Sequence, residues 1–122
     1  MKTLYLIRGI PGSGKTTMAR EMGLEHHYEA DMWFERNNIP FKKELLSVAH
    51  EWCKQRVGRA MLTGQDVVVS NTFIKKWEMD SYLDLAFSFG YRVVIKIASG
   101  NYENVHGCPK EIVDRMRDNF EV

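Results

Sequence analysis

Gly9-Ile10-Pro11-Gly12-Ser13-Gly14-Lys15-Thr16 sets two glycines, a lysine and a hydroxyl at the spacing GxxxxGK[ST]. Glycine admits backbone angles closed to other residues, so successive N–H groups in such a loop turn inward around phosphate oxygens. An apolar run, Thr3–Arg8, leads into the loop, and helix-forming sequence leaves it at Lys15. A helix N-terminus there adds free donors and the positive end of its dipole. The expected chemistry is the binding of a nucleoside triphosphate. Gly9, Pro11, Gly12, Ser13, Gly14, Lys15, Thr16 and Thr17 would surround the phosphates, with the Lys15 ammonium at the β- and γ-phosphates and the Thr16 hydroxyl on Mg²⁺. ATP and Mg²⁺ are the cofactors this implies.

The fate of the γ-phosphate depends on residues elsewhere. Switch and motor ATPases carry an acidic residue at the end of an apolar strand. Here the run Val67-Val68-Val69 ends in Ser70-Asn71-Thr72, without a carboxylate. These three residues either hold water around the metal and contact substrate or cap the next helix. Transfer to a hydroxyl calls for a carboxylate opposite the loop to accept the proton. Asp31 is the candidate, read as closing a short strand, His27–Ala30, whose C-terminal end lies on the ligand edge of a parallel sheet. A turn or helix-capping aspartate is the alternative. Trp33 and Phe34 adjoin it and are candidates to stack on a nucleobase, and Lys75 and Lys76 follow the Asn71-Thr72 pair.

These groups must be positioned by a small scaffold. The chain has 122 residues, 44% hydrophobic and 27% charged, which predicts one globular domain, 1–122, rather than disorder. The net charge of +1 gives no general basic signature for nucleic acid. No apolar run approaches the length of a membrane span and no leader is legible at Met1-Lys2, so a cytoplasmic protein is expected. Cys53 and Cys108 form no CxxC pair, and the sequence shows no zinc spacing. Helical periodicity marks Lys15 to Gly23, Lys43–Leu62 through Leu46, Ala49, Cys53, Val57 and Ala60, Lys76–Phe89, and a last helix after Pro109. Trp77, Tyr82 and Phe87 are expected to pack their helix on the sheet. With strands at Val67–Val69 and Arg92–Ile97, strand and helix alternate, which predicts an α/β fold with a parallel sheet covered on both faces.

Six motifs in order carry a family resemblance: the loop with Arg8, Ala30-Asp31-Met32-Trp33-Phe34, Ala49-His50-Glu51-Trp52-Cys53, Val69-Ser70-Asn71-Thr72, Trp77-Glu78-Met79 and His106-Gly107-Cys108-Pro109. Together they resemble the small AAA-labelled P-loop kinases of phages and bacteria, relatives of the 5′-kinase domain of phage polynucleotide kinase. The resemblance implies a three-layer P-loop kinase fold with about four parallel strands in the order 2-3-1-4. It implies Asp31 as the general base and Asn71 and Thr72 on the acceptor side. It further implies a kinase that moves the γ-phosphoryl group of ATP to the 5′-hydroxyl of DNA or RNA, in the cytoplasm of a bacterium or of a phage-infected host. A nucleoside, nucleotide or small-metabolite kinase and an ATP-binding partner protein with little chemistry are the alternatives.

Two departures from the family stand out. The position three after the base, where the polynucleotide kinase has an arginine for the acceptor phosphate, is Phe34; Arg36 nearby is either its substitute or a solvated surface arginine, and Lys75 either meets an anionic acceptor or is solvated. The lid after the fourth strand is cut to Ser99-Gly100-Asn101-Tyr102-Glu103-Asn104-Val105, which contains no arginine.

Overall fold

Three consecutive valines and an aliphatic run around Leu4 and Leu6 can satisfy their backbone polar groups and bury side chains on both faces only inside a covered sheet. The computed structural model, which describes residues 2–100 and 108–122, puts them there. Strands β1 (Thr3–Arg8), β2 (His26–Tyr28), β3 (Val67–Ser70) and β4 (Arg92–Ile97) form one parallel sheet in the order β2-β3-β1-β4. Leu4 pairs with Val67 and Leu6 with Val69 across β1 and β3. The four-stranded order anticipated from the resemblance is the order found.

Helices cover both faces. Leu4, Leu6, Val67 and Val69 pack against α3 (Leu46–Met61) and α4 (Asp80–Phe89), meeting Cys53, Val57, Ala60, Tyr82 and Ala86. Ile7 and Val68 alternate to the other face and meet Ala19 of α1 (Lys15–Glu21). A third cluster joins α2 (Asp31–Arg36) to α3 through Ala30, Phe34 and Ala49. The last helix, α5 (Lys110–Asn119), buries no residue fully. Among the described residues no helix is long and apolar enough to cross a membrane.

Three expectations need correction. The second strand stops at Tyr28, and Asp31 opens α2 instead of closing the strand. The reason is a contact with the end of β3: the Ala30 N–H goes to the Asn71 side-chain oxygen at 2.9 Å, and Ala30 itself is already helical. The helix expected over Lys76–Phe89 begins as a 3₁₀ turn, Lys76–Met79, started by the Glu78 carboxylate accepting the Lys75 N–H at 2.8 Å. Of the three aromatics expected to pack there, Tyr82 does, whereas Trp77 and Phe87 are 70% and 89% exposed. Of the lid segment, residues 99–105, all but Ser99 and Gly100 lie outside the described residues.

Arg8, the last residue of β1, is only 2% exposed. Its guanidinium donates from Nε and Nη2 to the Phe73 carbonyl at 3.0 and 2.7 Å, and it lies 4.6 Å over the Phe120 ring. It therefore ties the segment after β3 to the strand that carries the loop. Hydrogen bonds to charged groups contribute about 1.5–3 kcal/mol. Arg8→Met is accordingly expected to lower unfolding free energy by about 2–3 kcal/mol, measured by urea denaturation.

Candidate active site

Glycines in the loop between β1 and α1 are needed for two different reasons. Gly14, preceding the first turn of α1, has φ 92°, in the left-handed region that disfavours side chains. Gly9 is a matter of space: a Cβ there would lie 2.3 Å from Ser13 Oγ and 2.8 Å from the Ala98 carbonyl oxygen. The loop is further held by Ser13 N–H on the Ile10 carbonyl at 3.1 Å and by Gly9 N–H on the Thr72 carbonyl at 3.1 Å. Ser13 Oγ is buried and meets no hydrogen-bond partner among the described residues.

Lys15 curls back over this loop, its Nζ donating to the Ile10 carbonyl at 3.1 Å. Burial pushes its pKa below the ordinary lysine value, against the opposing pull of Glu29 and Asp31, whose charges both act on it. The ammonium and the two carboxylates thus converge on one edge of the sheet. Pro11 and Gly12 are half-buried beside it, while Thr17 faces outward.

Sequence reasoning passed over Glu29. Only 6% exposed, it sits just beyond β2 and points its Oε2 at the loop. Thr16 Oγ1 donates to that oxygen at 2.6 Å, Ser70 Oγ donates to it as well, and His27 Nε2 stands 3.2 Å away. Burial alone would raise this carboxyl. The hydrogen bonds from His27, Ser70 and Thr16, with the charge of His27, outweigh burial and hold it down at about 2. The same argument that drew attention to Asp31, a carboxylate at the C-terminal end of a parallel strand, applied two residues earlier.

A hard cation such as Mg²⁺ prefers oxygen ligands and is held by one or two carboxylates together with phosphate oxygens and water. Thr16 and Ser70 hydroxyls around the Glu29 carboxylate are a donor set that fits it. When bound to a triphosphate, such an ion neutralises charge developing on the transferred group.

The acceptor-side candidates separate. Asn71 is buried, and its amide braces the start of α2 through Ala30 and lies 3.8 Å from Cys53 Sγ, so its side chain holds the segment that carries Asp31. Thr72, half-buried, meets the loop through its carbonyl, and Lys75 is half-buried at the start of the 3₁₀ turn. Phe34 is 6% exposed, edge-on to Trp33 and packed on Ala49, so its ring is committed to the α2–α3 contact instead of a ligand. Arg36 stacks 5.3 Å over Trp52, which Arg56 also approaches at 5.5 Å. An open cleft of about 320 Å³ lies between α3 and the segment after β3, lined by His50, Glu51, Phe73, Trp77 and Glu78 among others.

Comparison with known proteins places this arrangement in a family. The family model described as an AAA domain, AAA_33, matches residues 4–99. NEDD4-binding protein 2 of Homo sapiens is 27% identical over 133 aligned residues, which cover 97% of this chain but only 8% of the human protein. The structure of the Pnkp1/Rnl/Hen1 complex superposes with a TM-score of 0.69 at 14% identity, covering 93% of this chain and 38% of that one. A sugar kinase from Janibacter sp. HTCC2649 superposes with a TM-score of 0.54 at 18% identity over 100% of this chain and 69% of that one. With its phosphate loop seated between β1 and α1 of a 2-3-1-4 parallel sheet, the chain belongs to the AAA_33 family and has a P-loop kinase fold.

Proposed function

We propose that the protein transfers the γ-phosphoryl group of ATP to a hydroxyl, with the 5′-hydroxyl of DNA or RNA as acceptor. The observation that carries the reading is that Lys15 opens α1 after β1 and Asp31 opens α2 after β2, so both stand at the C-terminal edge of one parallel sheet. Phosphoryl transfer demands mainly positioning and charge stabilisation, with a base near the attacking hydroxyl. The loop amides and Lys15 would hold the phosphates, Thr16 the metal, and Asp31 would accept the acceptor's proton. The acceptor itself rests on the sequence resemblance described above.

A second reading, a small uncharged hydroxylated acceptor, is favoured by the cleft beside the site. It carries the carboxylates of Glu51 and Glu78 against one ammonium, Lys54, which lies 3.9 Å from Glu51, and its His50 lies within reach of the charges of Glu78 and Asp31. This excess of carboxylate disfavours a polyanion, and the cation nearest in sequence to Asp31, Arg36, is stacked on Trp52. Transfer assays with labelled ATP separate the two readings. Labelling of 5′-hydroxyl oligonucleotides, with a KM that rises steeply with salt, supports the polynucleotide. Labelling of nucleosides or sugars with a salt-insensitive KM supports the small acceptor.

A further inference from the structure

The strand β3 ends without the carboxylate that would face a cation bound at Thr16, yet a carboxylate is there. We propose that Glu29 supplies it from the end of β2, and that Glu29, Thr16 and Ser70 together form the cation-holding group of the site. This rests on the reading of the loop as a site for ATP with its metal.

The geometry argues for it in three steps. First, Thr16 Oγ1 donates its single proton to Glu29 Oε2 at 2.6 Å. A hydroxyl has one proton and two lone pairs, so this bond turns the lone pairs of Thr16 away from the carboxylate and leaves them for a cation. Second, Ser70 stands at the strand end where an acidic side chain would face the loop, and its hydroxyl donates to the same Glu29 oxygen. The register that pairs Tyr28 with Val69 brings the two strand ends together, so a carboxylate from either strand reaches one place. Third, burying a carboxylate is costly unless it is paired. The neighbours that Glu29 has at its Oε2 are two hydroxyls and His27, which lies 3.2 Å from it and 2.9 Å from Ser70 Oγ. These contacts fix the carboxylate in place with its charge turned toward Thr16, where a cation would meet it. Glu29 acts through Thr16 and is therefore a positioning residue.

The test is calorimetric titration of the folded protein with ATP in EDTA and with ATP plus Mn²⁺, alongside the paramagnetic resonance of bound Mn²⁺. In the wild type the cation should tighten nucleotide binding. Glu29→Gln keeps the shape and the hydrogen-bond acceptor but loses the charge. It should bind metal-free ATP at least as tightly as the wild type, since a negative charge beside the phosphates is removed, and lose about 10–100-fold in Mn²⁺ affinity, the usual cost of losing an outer partner of a metal ligand. The exchange variant Glu29→Ser/Ser70→Asp, which moves the carboxylate to β3, should recover Mn²⁺ binding and provides a second route if Glu29→Gln does not fold. Full Mn²⁺ affinity in folded Glu29→Gln, or none in the folded exchange variant, overturns the assignment while leaving the nucleotide site standing. A wild type that binds ATP under neither condition removes the nucleotide reading and this assignment with it.

Discussion

Asp31→Asn is expected to reduce kcat by about 10²–10⁴-fold while leaving the affinity for ATP nearly unchanged, because a positioned general base contributes that much to a proton transfer. The asparagine keeps the size and polarity of the side chain at the first position of α2, so the fold should persist. Removing the carboxylate takes away proton acceptance and nothing that grips the triphosphate, which the loop and Lys15 hold. Steady-state kinetics on ATP and on the acceptor, together with direct ATP titration, separate the two terms. A fall confined to ATP affinity would mean that Asp31 acts through Lys15, whose charge it opposes, and not on the acceptor.

Lys15→Ala should lower kcat by about 10²–10³-fold, the range found when one preorganised group that stabilises developing charge is removed. Here ATP affinity should weaken too, since the ammonium meets the phosphates in the ground state as well. Lys15 makes one hydrogen bond in the described structure, to the Ile10 carbonyl, so thermal unfolding should shift little. Lys15→Arg is expected to rescue poorly, because a planar fork cannot replace a compact ammonium curled over a tight loop. Parallel measurement of kcat and of ATP affinity in both variants checks this.

What was legible beforehand follows from how far apart the interacting residues lie in the chain. The loop could be read because its chemistry is local: glycines, lysine and threonine at fixed spacing between a strand and a helix. The buried valines of β3 and the α3 stripe of Ala49, Cys53 and Val57 were legible for the same reason, since periodicity encodes which face is covered. The place of Glu29 at a strand end was legible but its contacts were not, because they come from Ser70, 41 residues away, and from a strand register that no local pattern states. Asn71 explains why Asp31 opens a helix, again through a contact across 41 positions with Ala30. Trp77 and Phe87 were misplaced because spacings of five set them about 140° from Tyr82 around a helix; α4 turns Tyr82 and Ala86 inward and leaves Phe87 in solvent, and Trp77 lies exposed on the 3₁₀ turn before it. Phe34 shows the converse, a residue three positions after Asp31 in sequence whose side chain belongs to the core.

The central claim, transfer of the γ-phosphoryl group to a hydroxyl, is tested most directly by following ATP, Mg²⁺ and a mixture of 5′-hydroxyl oligonucleotides, nucleosides and sugars with the wild-type protein by ³¹P NMR. The account predicts that the γ-phosphate resonance declines as a phosphomonoester resonance and ADP grow in equal amount, and that Asp31→Asn slows this without preventing ATP binding. ATP that remains intact, or that yields only inorganic phosphate with every acceptor, would contradict it.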